Sequence, residues 1–294
     1  MNISFIKYKY IYFALSGILV AVSMACLVIF GWNLGIDFTG GSILEIAYKD
    51  ERLPVNEARE ILHDIVGPAF VQSTEPNGLL IRMKEIDAET HQRVLSALGQ
   101  DYQIAEELRF ESIGEVVGGE LGRATVWQIL LALIAVVVYI ALAFSRVKRP
   151  VRSWQYGIAS LIGLFHNILI TLGVFCVLGE FYGVQITIPI VTAFLIILGY
   201  SINDTVVVFD RIRENLIRGV GVTFEDTVDK SLNQTLFRSV STSLTTLFVL
   251  SAIFFLGGDT LKYFALALMI GIAVGTYASL FLVSSLLTIF KKSG

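Results

Sequence analysis

The sequence predicts a polytopic α-helical membrane protein with six transmembrane helices and one extracytoplasmic α+β domain between the first two helices. Apolar side chains make up 55% of the 294 residues and charged ones only 16%, whereas soluble domains carry about a quarter charged residues. Six apolar runs are long enough for a transmembrane helix, which needs about 20 residues. One long polar stretch, residues 31–123, separates the first two runs and is predicted to fold by itself.

The predicted spans are bounded by charged or glycine-rich segments. They are Tyr10–Phe30, Val126–Phe144, Tyr156–Leu178, Ile186–Phe209, Val240–Leu256 and Tyr263–Phe290. The first run is too long for a cleaved signal sequence and lacks a small-residue cleavage site, so we expect a retained anchor. The predicted domains are therefore residues 1–30, residues 31–123 and a five-helix part, residues 124–294.

Basic residues alternate between the loops and predict the orientation of the chain. They cluster before the first span, after the second, after the fourth and after the sixth, at Lys7, Lys9, Arg146, Lys148, Arg149, Arg152, Arg211, Arg213, Arg218, Lys230, Arg238, Lys291 and Lys292. The loops around Glu180 and Asp259 have almost none. Because basic loops stay in the cytoplasm, we expect cytoplasmic termini, a cytoplasmic loop 210–238 and an extracytoplasmic domain 31–123.

The polar domain reads as alternating strands and helices in the order βαββαβ. The predicted strands are Ser42–Tyr48, Ala69–Thr74, Leu79–Lys84 and Tyr102–Glu111, and the helices are Pro54–Val66 and Asp87–Leu98. Pro54 suits a first helical turn, and Asp87 suits an N-cap. This order is that of a ferredoxin-like sandwich. His63 and His91 have no partner in their patterns, so we expect a binding or levering domain.

Composition and motifs argue against several classes of function. A net charge of −3 argues against nucleic acid as the main partner. Cys26 and Cys176 lie in apolar runs, where packing side chains are expected rather than metal ligands. No Walker A pattern or strand–GxGxxG–helix context is present. We therefore expect no enzymatic activity, no cofactor and no metal site.

The fourth span carries a carboxylate, Asp204, inside an apolar run. An ionisable side chain in a membrane span is costly, which favours a functional role. Helical spacing puts Tyr200 and Ser201 one turn away, within hydrogen-bonding reach, with Asn203 and Thr205 as direct neighbours. A structural clamp between helices is the alternative, although such hydrogen bonds contribute only about 1 kcal/mol.

The fifth span begins with a polar stripe, formed by Arg238, Ser241, Thr242 and Thr245 at helical spacing. Arg238 is predicted at a depth similar to that of Asp204. A contact between the two that forms and breaks would let Asp204 bind and release a proton, because a nearby cation favours the charged carboxylate. The alternative for Arg238 is snorkelling to the lipid headgroups.

Three further patterns have plainer interpretations. His166 and Asn167 form a second polar spot in the third span, where a packed histidine is favoured over a proton relay. Gly271, Gly275 and Ser279 form a small-residue face of the sixth span. A short amphipathic surface helix is predicted from Thr223 to about Leu236.

Two glycine-rich stretches flank the polar domain, Gly35–Gly41 and Gly114–Gly122. Glycine permits backbone conformations that are closed to other residues. The stretches are therefore either hinges between domain and membrane or tight turns at the membrane exits, and the pattern does not decide between them.

The fourth-span segment Gly199–Asn215, GYSINDTVVVFDRIREN, resembles the SecF family, one subunit type of the bacterial SecD–SecF protein-export complex. The segment Gly35–Gly41, GIDFTGG, is similar to the family's motif after its first span, and Gly114–Gly122 and Phe237-Arg238-Ser239 also fit. The resemblance covers nearly the whole chain. One departure is Asn167, where the family often has aspartate.

The resemblance implies a relative of the RND transporters in the bacterial cytoplasmic membrane. Its partners would be SecD, the SecYEG channel with SecA, unfolded preproteins and membrane lipids. It would use protons as coupling ion, drawing preproteins outward after the ATP-driven step. Asp204 and Arg238 would be the proton-responsive pair, and Gly35, Asp37, Gly40 and Gly41 would couple the domain to the membrane part. The alternatives are a stand-alone RND-type exporter and a non-transporting scaffold of a membrane complex.

Overall fold

The computed structural model describes residues 4–74, 77–100, 102–143 and 151–290. The predicted positions Phe144, Arg146, Lys148, Arg149, Lys291 and Lys292 lie outside these ranges. The chain divides into a small unit, Leu34–Val126, and a helical unit, Met1–Asn33 with Trp127–Gly294.

The predicted strands and helices occur in the predicted order, and a short helix, α2, is present that the sequence did not predict. In chain order they are α1 (Lys9–Phe30), α2 (Ile36–Thr39), β1 (Gly41–Tyr48), α3 (Val55–Val66), β2 (Phe70–Thr74), β3 (Gly78–Met83), α4 (Ala88–Leu98), β4 (Ile104–Ile113), α5 (Glu115–Ala143), α6 (Ser153–Tyr182), α7 (Ile188–Ile217), α8 (Phe224–Leu256), α9 (Asp259–Tyr277) and α10 (Ser284–Phe290). A π-helix, Ala278–Val283, joins α9 to α10.

The small unit is a four-stranded sheet in the order β2-β3-β1-β4, and neighbouring strands are antiparallel. One face of the sheet is apolar because buried side chains of β1 and β3, such as Leu44 and Ile81, alternate with less buried ones along most of each strand. These side chains pack with Leu62 of α3 and Val94 of α4 to form the core of the unit.

Helix α4 begins as its sequence indicates, whereas α3 begins at Val55 and Pro54 occupies its N-cap position. Asp87 caps α4, since its carboxylate accepts a hydrogen bond from the Thr90 amide at 2.8 Å, and this bond lowers the pKa of Asp87. His91 is a packed histidine, stacked on Phe110 at 3.8 Å with its Nε2 3.3 Å from Glu107.

Six helices of the described residues are long and apolar enough to cross a membrane, which confirms the predicted number. They are Ile6–Phe30, Glu115–Ile140, Ser153–Tyr182, Ile188–Ile217, Phe224–Leu256 and Leu261–Phe290. The third, fourth and sixth are mostly buried, whereas the first, second and fifth are mostly exposed. The centre of the helical unit is therefore formed by α6, α7 and α9.

Three helix boundaries differ clearly from the prediction, and the first is the end of α7, which lies at Ile217 rather than Phe209. The predicted surface helix ending near Leu236 and the span beginning at Val240 are one 33-residue helix, α8. No glycine or proline occurs between Phe224 and Leu256, so nothing in the chain interrupts the helical hydrogen bonds. The stretch Gly114–Gly122 is not a turn, because α5 begins at Glu115 and includes its later glycines. Glycine weakens a helix by only about 1 kcal/mol, which tertiary contacts can offset.

Candidate functional site

Asp204 lies on α7 in the centre of the helical unit and is only 8% exposed. Its Oδ2 accepts a hydrogen bond from the Ser279 hydroxyl. Ser279 is in the π-helix between α9 and α10. Short π-helical segments within α-helices are rare and often occur at functional sites. The carboxylate is thus bonded to an irregular turn of a neighbouring span.

Glycine lets α9 approach α7 closely at this site. A Cβ at Gly275 would lie 2.6 Å from the Ser201 Oγ and 3.2 Å from the Asn167 Nδ2. One turn earlier, Gly271 faces the side chain of Ile197 in the same way. The small-residue face predicted from Gly271, Gly275 and Ser279 is therefore the surface of span six that contacts α7.

A buried polar layer connects α6 to α7 beside Gly275. The Asn167 amide donates to the Ser201 Oγ at 2.8 Å, and the His166 Nδ1 lies 3.2 Å from the Asn167 Oδ1. His166 is 3% exposed, and its ring packs 6.2 Å from that of Tyr277. Within the described residues, the His166 Nε2 has no hydrogen-bond partner. The histidine is thus packed in the interior of the helical unit.

A second chain of hydrogen bonds joins α7, α8 and α9. The Tyr200 hydroxyl donates to the Ser243 Oγ at 3.4 Å, and the Ser243 and Thr276 hydroxyls lie 2.6 Å apart. Thr276 in turn donates to the Ile272 carbonyl at 2.9 Å. These bonds hold three helices together around the Asp204 site.

The predicted polar neighbours of Asp204 bond elsewhere. Tyr200 and Ser201 do not hydrogen-bond to it in the described residues, because Tyr200 reaches α8 and Ser201 reaches Asn167 on α6. Thr205 donates to the Ser201 carbonyl at 2.9 Å, and Asn203 is exposed. Tyr200 and Ser201 thus form other hydrogen bonds than the ones to Asp204 that helical spacing allowed, although both residues lie on helix α7 as predicted.

The polar stripe predicted on α8 is largely exposed. Arg238 is exposed, and the described residues contain no ion pair between Arg238 and Asp204. Thr242 donates to the Arg238 carbonyl and Thr245 to the Thr242 carbonyl, both at 2.9 Å, and Ser241 is half-buried.

The stripe that α8 buries is offset by one residue from the predicted one. Its buried polar members are Thr227, Ser231, Thr235, Ser239 and Ser243. A one-residue offset rotates a helix face by about 100°. Arg238 and Thr242 therefore lie on the exposed side of α8.

Sequence reasoning missed Ser243, Thr276 and Ser279 as members of the site. The available signal was helical spacing, since Ser239 and Ser243 are four residues apart, as are Gly275 and Ser279. This spacing indicated helix faces lined by polar or small residues, but it did not indicate which neighbouring helices those faces would contact.

The two glycine-rich stretches meet inside the small unit. A Cβ at Gly118 would lie 2.8 Å from the Gly40 nitrogen and 3.2 Å from the Phe38 carbonyl carbon. A Cβ at Gly40 would lie 2.7 Å from the Glu115 Cα, and Gly40 has a φ of 72°. Backbone therefore packs directly on backbone where α2 crosses the start of α5, a contact that we call the glycine joint. Gly41 also has a positive φ, 122°, whereas Gly35 is buried with an extended backbone.

Asp37 of α2 belongs to the electrostatic surroundings of β4. The Arg109 guanidinium forms two hydrogen bonds with Glu111, at 2.9 and 2.7 Å, and these raise the pKa of Arg109. Glu45 and Asp37 raise it further by their charge. The negative charge of Asp37 thus stabilises the positively charged Arg109 side chain of β4.

Replacing Gly275 by alanine is expected to lower the free energy of unfolding by about 1 kcal/mol, the usual net value of one hydrogen bond. The new methyl group forces the Ser201 hydroxyl away from Asn167. Thermal unfolding in detergent, followed by a thiol-reactive dye at the buried Cys176, measures the change. Gly157→Ala is the matched control, because a Cβ there meets nothing within 4 Å. Equal melting of both variants would contradict the close approach of α9 to α7.

Among the described residues, no group of histidine, cysteine, aspartate and glutamate side chains has the arrangement of a metal site. In the described part of the helical unit, Asp204 is a buried carboxylate whose side-chain hydrogen-bond partner is the Ser279 hydroxyl. Such a group can hold or release a proton.

Comparison with known proteins identifies relatives of this chain over nearly its whole length. The family model described as protein export membrane protein SecD/SecF, C-terminal, matches residues 93–293, and that of the SecD/SecF GG motif matches residues 27–51. The chain is 39% identical to protein translocase subunit SecF of Thermobaculum terrenum, over 99% of this chain and 94% of that protein. It is 35% identical to the subunit of the same name from Sebaldella termitidis, over 99% and 93%.

A solved structure agrees with these relatives. The crystal structure of SecDF, a translocon-associated membrane protein from Thermus thermophilus, matches 98% of this chain with a TM-score of 0.86 and 32% identity. This chain spans 38% of the length of that one. The chain described here therefore belongs to the SecD/SecF family of protein-export membrane proteins.

Proposed function

We propose that the chain acts with SecD to drive or complete the export of unfolded preproteins through the SecYEG channel, using the proton-motive force after the SecA step. The observation that carries the proposal is the buried Asp204 in a six-span member of the SecD/SecF family. A carboxylate in the centre of a helix bundle is costly to bury and is the type of group that carries protons in membrane transporters.

We infer that Asp204 is the proton-binding residue and that protons are the only coupling ligand. Arg238 remains a predicted partner whose contact with Asp204 forms in another state of the cycle. Its exposed position on α8 is compatible with movement of this helix or with a neighbouring subunit. The chain itself catalyses no reaction in this proposal and needs no resident cofactor.

We further propose that the chain lies in the bacterial cytoplasmic membrane with both termini in the cytoplasm and the domain 31–123 outside. The distribution of basic residues supports this orientation. The strand order β2-β3-β1-β4, with a helix between β1 and β2 and another between β3 and β4, supports a ferredoxin-like arrangement for this domain. Gly35, Asp37, Gly40 and Gly41 would couple this domain to the membrane part. Proton binding at Asp204 would then move the domain, and the domain would act on the preprotein.

Preprotein import into inverted membrane vesicles tests the proposal. We expect vesicles containing this chain and SecD to import more preprotein than vesicles lacking them, and a protonophore to abolish the difference at saturating ATP. Co-purification tests the alternatives, because a SecD-like partner with the channel supports export, whereas a homotrimer supports a stand-alone exporter. A difference that survives the protonophore would contradict proton coupling.

A further inference from the structure

The Ser279 hydroxyl has two acceptors within reach. Its Oγ is bonded to the Asp204 Oδ2 and also lies 3.1 Å from the Thr276 carbonyl oxygen. A serine hydroxyl carries one proton to donate and two lone pairs that accept. It can therefore donate fully to only one of these two oxygens at a time.

This geometry suits both protonation states of Asp204. When Asp204 is ionised, the hydroxyl donates to it. When Asp204 is protonated, the carboxyl group donates to the Ser279 Oγ, and the hydroxyl turns to the Thr276 carbonyl. Each state keeps the Asp204 Oδ2 and the Ser279 hydroxyl hydrogen-bonded, which avoids the large cost of leaving either group unpaired in the interior.

The π-helix fixes the serine at this position. Ser284 lies five residues after Ser279, the repeat of a π-helix, and its hydroxyl donates to the Ser279 carbonyl at 2.7 Å. Both serines are almost fully buried. The Ser279 side chain is thus held on Asp204 by an irregular backbone segment whose Ser279 carbonyl group accepts a hydrogen bond from the Ser284 side chain.

We propose that Ser279 is the positioning residue that lets Asp204 take up and release its proton while it stays buried. This inference rests on the proposed function, in which Asp204 carries the proton. The titratable side chains in the middle of the helices packed on α7 are His166, Tyr277 and Arg238. None of these three forms a hydrogen bond or ion pair with Asp204 in the part of the chain described.

A hydrophobic carbodiimide tests the inference, because it modifies a buried carboxyl group only when that group is protonated. Labelling of Asp204 is measured by mass spectrometry in membranes over a range of pH. We expect Ser279→Ala to extend labelling to higher pH by about one to two pH units, because the variant loses a hydrogen bond to the charged state. Ser279→Thr keeps the hydroxyl and is expected to restore the wild-type profile.

Ser285→Ala is the matched control. Ser285 is fully buried in the next helix, and its hydroxyl has no partner among the described residues. Its removal is expected to leave the labelling profile unchanged. If Ser279→Ala keeps the wild-type profile while Asp204→Asn abolishes labelling and proton-dependent export, the role of Ser279 is wrong and the proposed function stands. If Asp204→Asn leaves proton-dependent export intact, the proposed function fails and the inference fails with it.

Discussion

Replacement of Asp204 by asparagine is expected to abolish the part of preprotein export that depends on the proton gradient, while the complex still assembles. Asparagine has the same shape, and its Oδ1 can still accept the hydrogen bond from Ser279. It cannot bind a proton, so the gradient loses the group on which it acts. One elementary charge moved through 100 mV is worth about 2.3 kcal/mol, which shifts a two-state equilibrium about 50-fold.

The measurement is preprotein import into inverted vesicles with and without a protonophore, together with co-purification of the subunits. Asp210→Asn is the matched control on the same helix, because Asp210 is exposed and pairs with Arg213 at 3.0 Å. An exposed ion pair contributes little, so this variant is expected to import like the wild type. Unimpaired gradient-dependent import by Asp204→Asn would contradict the proposal and favour the scaffold alternative.

Replacement of Gly118 by alanine is expected to destabilise the small unit by about 1–3 kcal/mol, the usual effect of overpacking. The added methyl group meets the backbone of Phe38 and Gly40, which cannot rotate away as a side chain would. This steric overlap is removed only if α2 moves away from α5. We expect faster limited proteolysis near residues 34–41 and a lower melting temperature, both measured on the full chain in detergent.

Gly119→Ala is the matched control for the glycine joint. Gly119 is in the same helical turn, and a Cβ there meets nothing within 4 Å. We expect this variant to be neutral or more stable by up to about 1 kcal/mol, since alanine is the better helix former. If the stretch works instead through backbone flexibility, both substitutions will impair export equally. That result would contradict a packed joint and favour a hinge.

The sequence determined the elements of the fold because their signals are local. Six apolar runs of sufficient length predict six helices, and alternation with cap residues such as Asp87 predicts the strands and helices of the small unit. The cost of burying a charge made Asp204 recognisable without any contact being known. The continuity of α8 was harder to predict. The absence of a helix-breaking residue is a weaker signal than the presence of a glycine or proline.

Only the tertiary structure decided which groups meet. Ser279 is bonded to Asp204 although the two residues are 75 positions apart in the chain. No local sequence pattern indicates the π-helix that contains Ser279. The buried stripe of α8 runs through Ser239 rather than Arg238 because neighbouring helices select the face, and a shift of one residue rotates the face by about 100°. The glycine joint depends likewise on two distant backbones that pack without side chains between them. Partner choice is a property of packing, which helical periodicity alone does not contain.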